Sequence, residues 1–370
     1  MPFKLTNKQR KYLGLTPVED TWDEVIWGKT KFDETIILYF EGDKLVKQIT
    51  LRGNGYREME VSELTTENRT IILPKTAKGK PRKLNYTGLS KINGIGVYFS
   101  GGGAAGNGMI GNYSTQRTFY CSRDMGTEEP DGLSNVEEWL DWWINDTTEA
   151  DLQELEAFKA AKRQRCKYKE GDFFAFKTGR REYGFGRILL DVYQFKKTAM
   201  EKHYGLGYMG RPLIIKVYNK TSDSIHVDLD ELKQCEALPS QPILDNVFFY
   251  GECPIIGNLP LEPEELEFPI SYSRSRYGGD FGTVYLQYGL IYLEKDISEY
   301  SKYLQSTGNI YVDDPFRCEE IGYNISQRWE PPHNLQSPQN KEIKREIFAD
   351  FGLDADKSYY ENYETYLSTK

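Results

Sequence analysis

Short apolar runs bounded by Gly, Asn and Asp punctuate the first third of the chain and predict strands. Thr35–Phe40 and Lys44–Leu51 flank Glu41-Gly42-Asp43 and read as a hairpin. Arg69–Leu73, Ile95–Phe99 and Arg117–Cys121 follow as further strands. Ahead of them Thr6-Asn7-Lys8-Gln9 is a capping-box pattern, and Gly14 is placed to stop the short helix it opens. From Ser134 the period changes. Ser134-Asn135-Val136-Glu137 is a second capping box, before a run in which Trp139, Trp142 and Trp143 share a helix face as a packing stripe. A further helix is expected from Glu149 to Arg163, burying Leu152, Leu155 and Phe158. Its basic end (Lys159, Lys162, Arg163, Arg165) suits the helix dipole.

Strands return at Asp172. Asp172–Lys177 and Phe185–Phe195 flank Thr178-Gly179-Arg180-Arg181, a turn in which Gly is expected to supply positive φ. Leu213–Tyr218, Asn246–Tyr250 and Thr283–Leu293 also read as strands, and the run from Asp296 to Leu304 as helix. After Pro331-Pro332 two helices are expected, Lys341–Phe351 and Lys357–Leu367, with Gly352 as the stop between them. The fold class is α+β: two mainly antiparallel β domains joined by a helical segment, with a helical C-terminal tail. Boundaries fall at 1–133, 134–165, 166–300 and 301–370, and the halves show no internal repeat.

At 370 residues the chain is long enough for two domains of about 150 residues. The 27 Tyr admit two readings, rigid contact area for recognition or strand-rich structure. A net charge of −9 argues against coating nucleic acid or an anionic membrane, and it suits a basic partner. No stretch approaches the roughly 20 apolar residues that cross a bilayer, and Met1-Pro2-Phe3-Lys4 opens no apolar signal core. Five widely spaced cysteines, Cys121, Cys166, Cys235, Cys253 and Cys318, fit reduced thiols in cytoplasm. Triplets such as Asn68-Arg69-Thr70 therefore carry no glycosylation meaning.

Candidate chemistry is thin. Gly101-Gly102-Gly103-Ala104-Ala105-Gly106 matches the dinucleotide fingerprint, but the glycines in Asn107–Thr115 deny it the helix that holds a pyrophosphate. It reads as a flexible loop. Pro74–Lys83 is the dense basic run; Pro74 and Pro81 occupy the positions a phosphate loop needs for Gly and Ser/Thr, so a solvated loop is expected. His203, His226 and His333 lack metal-ligand spacing, and no metal or cofactor is expected. Cys253 before Pro254 suits a buried small hydrophobe better than a nucleophile paired with His203 or His226. There is no Gly-X-Ser-X-Gly elbow, and no catalytic constellation is assigned.

Gly171-Asp172-Phe173-Phe174-Ala175, Tyr183-Gly184-Phe185-Gly186-Arg187-Ile188-Leu189, Pro254-Ile255-Ile256-Gly257-Asn258, Phe268-Pro269 and Tyr285-Leu286-Gln287-Tyr288-Gly289 follow one another in order. With them the segment from about Lys167 to Asp296 resembles the immunity protein 26 family of bacterial polymorphic toxin systems. The resemblance implies a protein that binds and neutralises a toxin encoded beside it. The family is also grouped with a phosphotriesterase, which implies a hydrolase of phosphotriesters as an alternative, and a regulatory binding module is a third reading. The Gly171–Leu190 hairpin resembles the opening of a small, strongly bent barrel, with Gly184 and Gly186 allowing curvature or close approach. Arg180, Arg181, Tyr183 and Arg187 are the expected partner-binding residues, and Arg187 has a rival role, pairing with an acidic group to brace its own strand.

Overall fold

The computed structural model describes residues 3–29, 34–102, 107–198, 210–262, 265–274, 282–304 and 333–369. They divide into two units, 1–165 with Tyr250–Glu252, and 166–249 with 253–370.

The first unit opens with α1 (Asn7–Tyr12), which Thr6 and Gln9 cap reciprocally and which gives way to Gly14 at φ +70°. Then come β1 (Asp23–Lys29), β2 (Glu34–Glu41), β3 (Lys44–Arg52), β4 (Gly55–Thr65), β5 (Ile71–Leu73), β6 (Arg82–Lys83) and the single turn α2 (Tyr86–Leu89). After β7 (Ile95–Gly102), β8 (Asn107–Asn112) and β9 (Arg117–Cys121), the helices α3 (Ser122–Met125), α4 (Val136–Asp146) and α5 (Glu149–Ala160) complete the unit. The antiparallel sheet runs β1-β2-β3-β4-β7-β8-β9, with β5 on β4 and β6 on β5. Both faces are covered. Ile37 and Tyr39 of β2 join the core under α4 and α5, while Ile36, Leu38 and Phe40 face a second core with Leu45, Met59 and Ile72. That is why β2 reads as a continuous apolar run rather than an alternation.

Trp139 and Trp143 are fully buried and stacked, centroids 5.1 Å apart, while Trp142 is half-buried. Full burial of a large apolar side chain contributes about 1.5–3 kcal/mol, so this stripe is a main anchor of the helices on the sheet. The cap of α4 sits one residue later than the sequence suggested. Asn135 Oδ1 accepts from Glu137 and Glu138, and Ser134 instead donates to the Glu138 carboxylate. Helix α5 stops at Ala160, so Lys162, Arg163 and Arg165 lie beyond it and the dipole does not account for them. Arg163 donates to Gln116 and to Tyr250, and Glu252 accepts from the Thr118 N–H at 2.6 Å.

The first unit also holds a buried ion cluster. Glu58 receives Arg10 Nε at 2.8 Å, Lys47 Nζ at 2.6 Å and the Tyr56 hydroxyl. It ties α1 to β3 and β4 through charges that have left water, where each must be paired to be tolerated.

The second unit contains β10 (Asp172–Lys177), β11 (Tyr183–Asp191), α6 (Val192–Thr198), β12 (Pro212–Ser222), α7 (Leu229–Gln234), β13 (Gln241–Leu244), α8 (Asn246–Phe249) and β14 (Ile255–Asn258). Its antiparallel sheet is ordered β13-β12-β11-β10-β14; the end strands do not pair, and among the described residues no closed barrel forms. A three-stranded sheet follows, β15 (Ile270–Arg274), β16 (Thr283–Tyr288) and β17 (Ile291–Asp296), then the tail helices α9 (Lys341–Asp350) and α10 (Tyr359–Ser368). Leu189, Ile214, Phe268, Leu286, Ile347, Phe348 and Tyr359 share one core between these layers.

Several expected elements differ. Asn246–Tyr250 was expected as a strand, but Asn246–Phe249 is one helical turn closed on the Asp245 carbonyl, with Phe248 buried against Phe174. Five residues are too few for an apolar run to reveal its period. Thr283–Leu293 is two strands, broken at Gly289 with φ +60°. The strand from Phe185 ends at Asp191 and turns into α6. Past Asp296 there are turns rather than helix: the Asp296 carboxylate takes the Ser298 N–H and hydroxyl, and Tyr303 adopts φ +66°. Pro331-Pro332, Cys318, His203 and residues 103–106 lie outside the described residues.

Candidate partner-binding surface

The β10–β11 hairpin is built on pairs of phenylalanine and glycine. Phe174 lies opposite Gly186 and Phe176 opposite Gly184. A Cβ on Gly186 would stand 2.3 Å from the Phe174 ring and 2.7 Å from the Lys216 carbonyl; on Gly184 it would stand 2.6 Å from the Phe176 ring. Both glycines are therefore required for close approach. The turn is closed by Thr178 and Gly179 N–H groups on the Glu182 carbonyl, 3.0 and 3.4 Å, and by the Thr178 hydroxyl on the Glu182 carboxylate. Gly179 does not take the positive φ expected of it.

The four expected partner-binding residues separate by depth. Arg181 is exposed and Tyr183 half-buried, whereas Arg180 and Arg187 are buried. Arg187 is 0% exposed. Its guanidinium lies over the Phe173 ring at 4.6 Å, its Nη1 donates to Glu265 Oε1 at 2.5 Å, and its Nη2 donates to the Leu259 and Pro260 carbonyls at 2.8 Å each. One planar fork thus ties Leu259, Pro260 and Glu265 to β11.

Glu265 gathers two more cations. Lys216, the cross-strand partner of Arg187, approaches to 3.8 Å, and Lys233 of α7 to 3.4 Å. Burial alone would raise the Glu265 carboxyl, but the Glu262 N–H and the three cations hold it below the usual range. Burial pushes the Lys216 ammonium down. Next along, burial drives Glu267 up to about 7 against the pull of the Ser240 N–H, Lys344 and Lys216. The edge strand β14 is pinned nearby, where Asn258 donates to Asp172 Oδ1 at 2.8 Å and to the Glu170 carbonyl.

The Glu265 network was not singled out in the sequence. Its one local signal was Lys216, a charge in the middle of the apolar run Leu213–Tyr218. Other candidates stay apart. Cys121, Cys166, Cys235 and Cys253 are not joined in disulfides, and Cys253 is buried. Among the described residues no group of three or more His, Cys, Asp or Glu is arranged to hold a metal. The basic run forms a tight turn, with the Thr76 and Gly79 N–H groups on the Lys80 and Thr76 carbonyls, and Arg82 pairs with Glu63 at 3.0 Å. No helix of the described residues is long and apolar enough to cross a membrane.

The exposed surface of the second unit carries Tyr193, Tyr360 and Leu367 as large apolar side chains. Most of the chain's excess acid also belongs to this unit. Residues 169–282 match the model of the family described as Immunity protein 26, within the stretch that carries the ordered motifs. Neither the curated proteins nor the solved structures include a match to the chain.

Proposed function

We propose that the chain is an immunity protein that binds a cognate toxin of a bacterial polymorphic toxin system and neutralises it by occlusion. The match of residues 169–282 to Immunity protein 26 carries this reading. The charge of −9 supports it, since an acidic surface steers a basic partner into encounter. Cysteines kept out of disulfides suit the reducing cytoplasm, where the protein would meet its toxin. Of the hairpin residues Arg180, Arg181, Tyr183 and Arg187, exposed Arg181 and half-buried Tyr183 would touch the toxin, and buried Arg180 and Arg187 would support them from within.

Neutralisation by occlusion needs a dissociation constant of about nanomolar or below, roughly −12 kcal/mol. The test is co-expression with the toxin encoded beside the gene. Growth should be rescued, the two proteins should co-purify at a fixed ratio, and an unrelated toxin should stay lethal. Rescue by sub-stoichiometric protein without a complex would overturn occlusion in favour of turnover.

A further inference from the structure

Helix α10 uses one face for the core and leaves another dressed for contact. Tyr359, Asn362 and Tyr366 are buried; the Tyr359 hydroxyl accepts from the Leu290 N–H at 3.0 Å, and its ring meets Phe268 at 4.2 Å. Asn362 closes the approach to the helix by accepting from the Asp354 N–H and donating to the Asp354 carbonyl, both at 2.8 Å. Away from that face stand Tyr360, 44% exposed, Glu364, exposed, and Leu367, 40% exposed. Spacings of four and three residues put these side chains on one stripe.

The stripe is rimmed by acid. Glu361 is exposed beside it, its carboxylate accepting from the Ser358 N–H and hydroxyl that cap the helix. Glu170, two residues ahead of β10, accepts from the Asp191 N–H, and burial together with its charge pushes the Tyr360 phenol up. An aromatic ring among carboxylates suits a guanidinium or ammonium, which gains from the ring face and from the flanking charge. Leu367 adds an apolar anchor two turns away. A second copy of the chain fits poorly, because a two-fold contact would set Glu364 and its neighbours against their own images.

We propose that Tyr360, Glu364 and Leu367 form a docking stripe for a basic protein surface, that of the toxin in the reading above, on which this inference rests. The stripe lies outside the segment that matches the family, so it would serve recognition of one toxin rather than features common to the family.

The probe is the purified toxin domain encoded beside the gene, titrated with the full chain. Tyr360→Ala and Leu367→Ala should each weaken binding by about tenfold or more, as buried anchors at an interface do. Glu364→Lys should slow association and flatten its dependence on salt. All three variants should melt with the wild type, because none of these side chains belongs to the core that α10 completes. If the wild type binds and all three variants bind equally tightly, the stripe is overturned while the toxin reading stands. If the wild type does not bind this toxin, the reading itself fails and the stripe falls with it. A concentration-dependent dimer abolished by Leu367→Ala would overturn the proposal by assigning the stripe to a second copy.

Discussion

Arg187 Nη1 meets Glu265 Oε1 at 2.5 Å across 78 residues of chain. The strand therefore carries at its centre the side chain that holds down a distant loop. Removing the guanidinium strands Glu265 with two weaker cations and leaves the Leu259 and Pro260 carbonyls without their donor. Arg187→Ala should destabilise the second unit by about 3 kcal/mol, the lower end for a broken buried pair because Glu265 keeps some water. Arg187→Lys should recover little, since one ammonium cannot serve a carboxylate and two carbonyls at once. Urea unfolding followed by a probe in the second unit measures both; wild-type stability in Arg187→Ala would show the clamp to be inert.

In the first unit Glu58 sets a limit on acid. Burial would raise its carboxyl, but Lys47 and Arg10 outweigh burial and hold it below the ordinary range. A depressed folded value means that the unfolded chain binds the proton first. This stabilisation is present above the unfolded value of about 4.3 and is lost as pH falls through the folded one. Glu58→Gln should remove that part of the acid transition, seen in tryptophan fluorescence of the first unit, and should cost about 3–5 kcal/mol at neutral pH. An unchanged acid midpoint would contradict the assignment.

Glu267 has the opposite sign. Its carboxyl is raised to about 7, so the folded state takes up its proton more readily than the unfolded chain. The associated stability is present below the unfolded value and is lost as pH rises towards 7. Glu267→Gln should raise the melting temperature at pH 8 and leave it nearly unchanged near pH 4.5. A gain of equal size at both pH values would mean that the amide packs better, with no proton involved.

Local chemistry was readable in the sequence, and distant chemistry was not. The Thr6 cap, the Trp139–Trp143 stripe and the Gly352 stop each follow from residues within two turns of one another. Gly289 was visible too, but the apolar residues on either side disguised a hairpin as one strand. Asn246–Phe249 misled because a buried helical turn and a buried strand can share composition. Arg187 was marked with two alternatives, contact or brace, yet Glu265 could not be named as its partner. Nothing near Glu265 in the sequence points across the sheet to β11. The α10 stripe was hidden for a different reason: its tyrosines alternate between core and water, and only packing tells them apart.

Tyr250–Glu252 belongs to the first unit although the chain on either side of it belongs to the second. This fixes an order of assembly. As the chain leaves the ribosome, residues 1–165 are complete in sequence but still lack Glu252, the acceptor of the Thr118 N–H. At about 5–20 residues per second the missing tripeptide follows several seconds later. During that interval the Thr118 edge of β9 waits for its acceptor, and a nascent chain stalled short of residue 252 would present it unfilled.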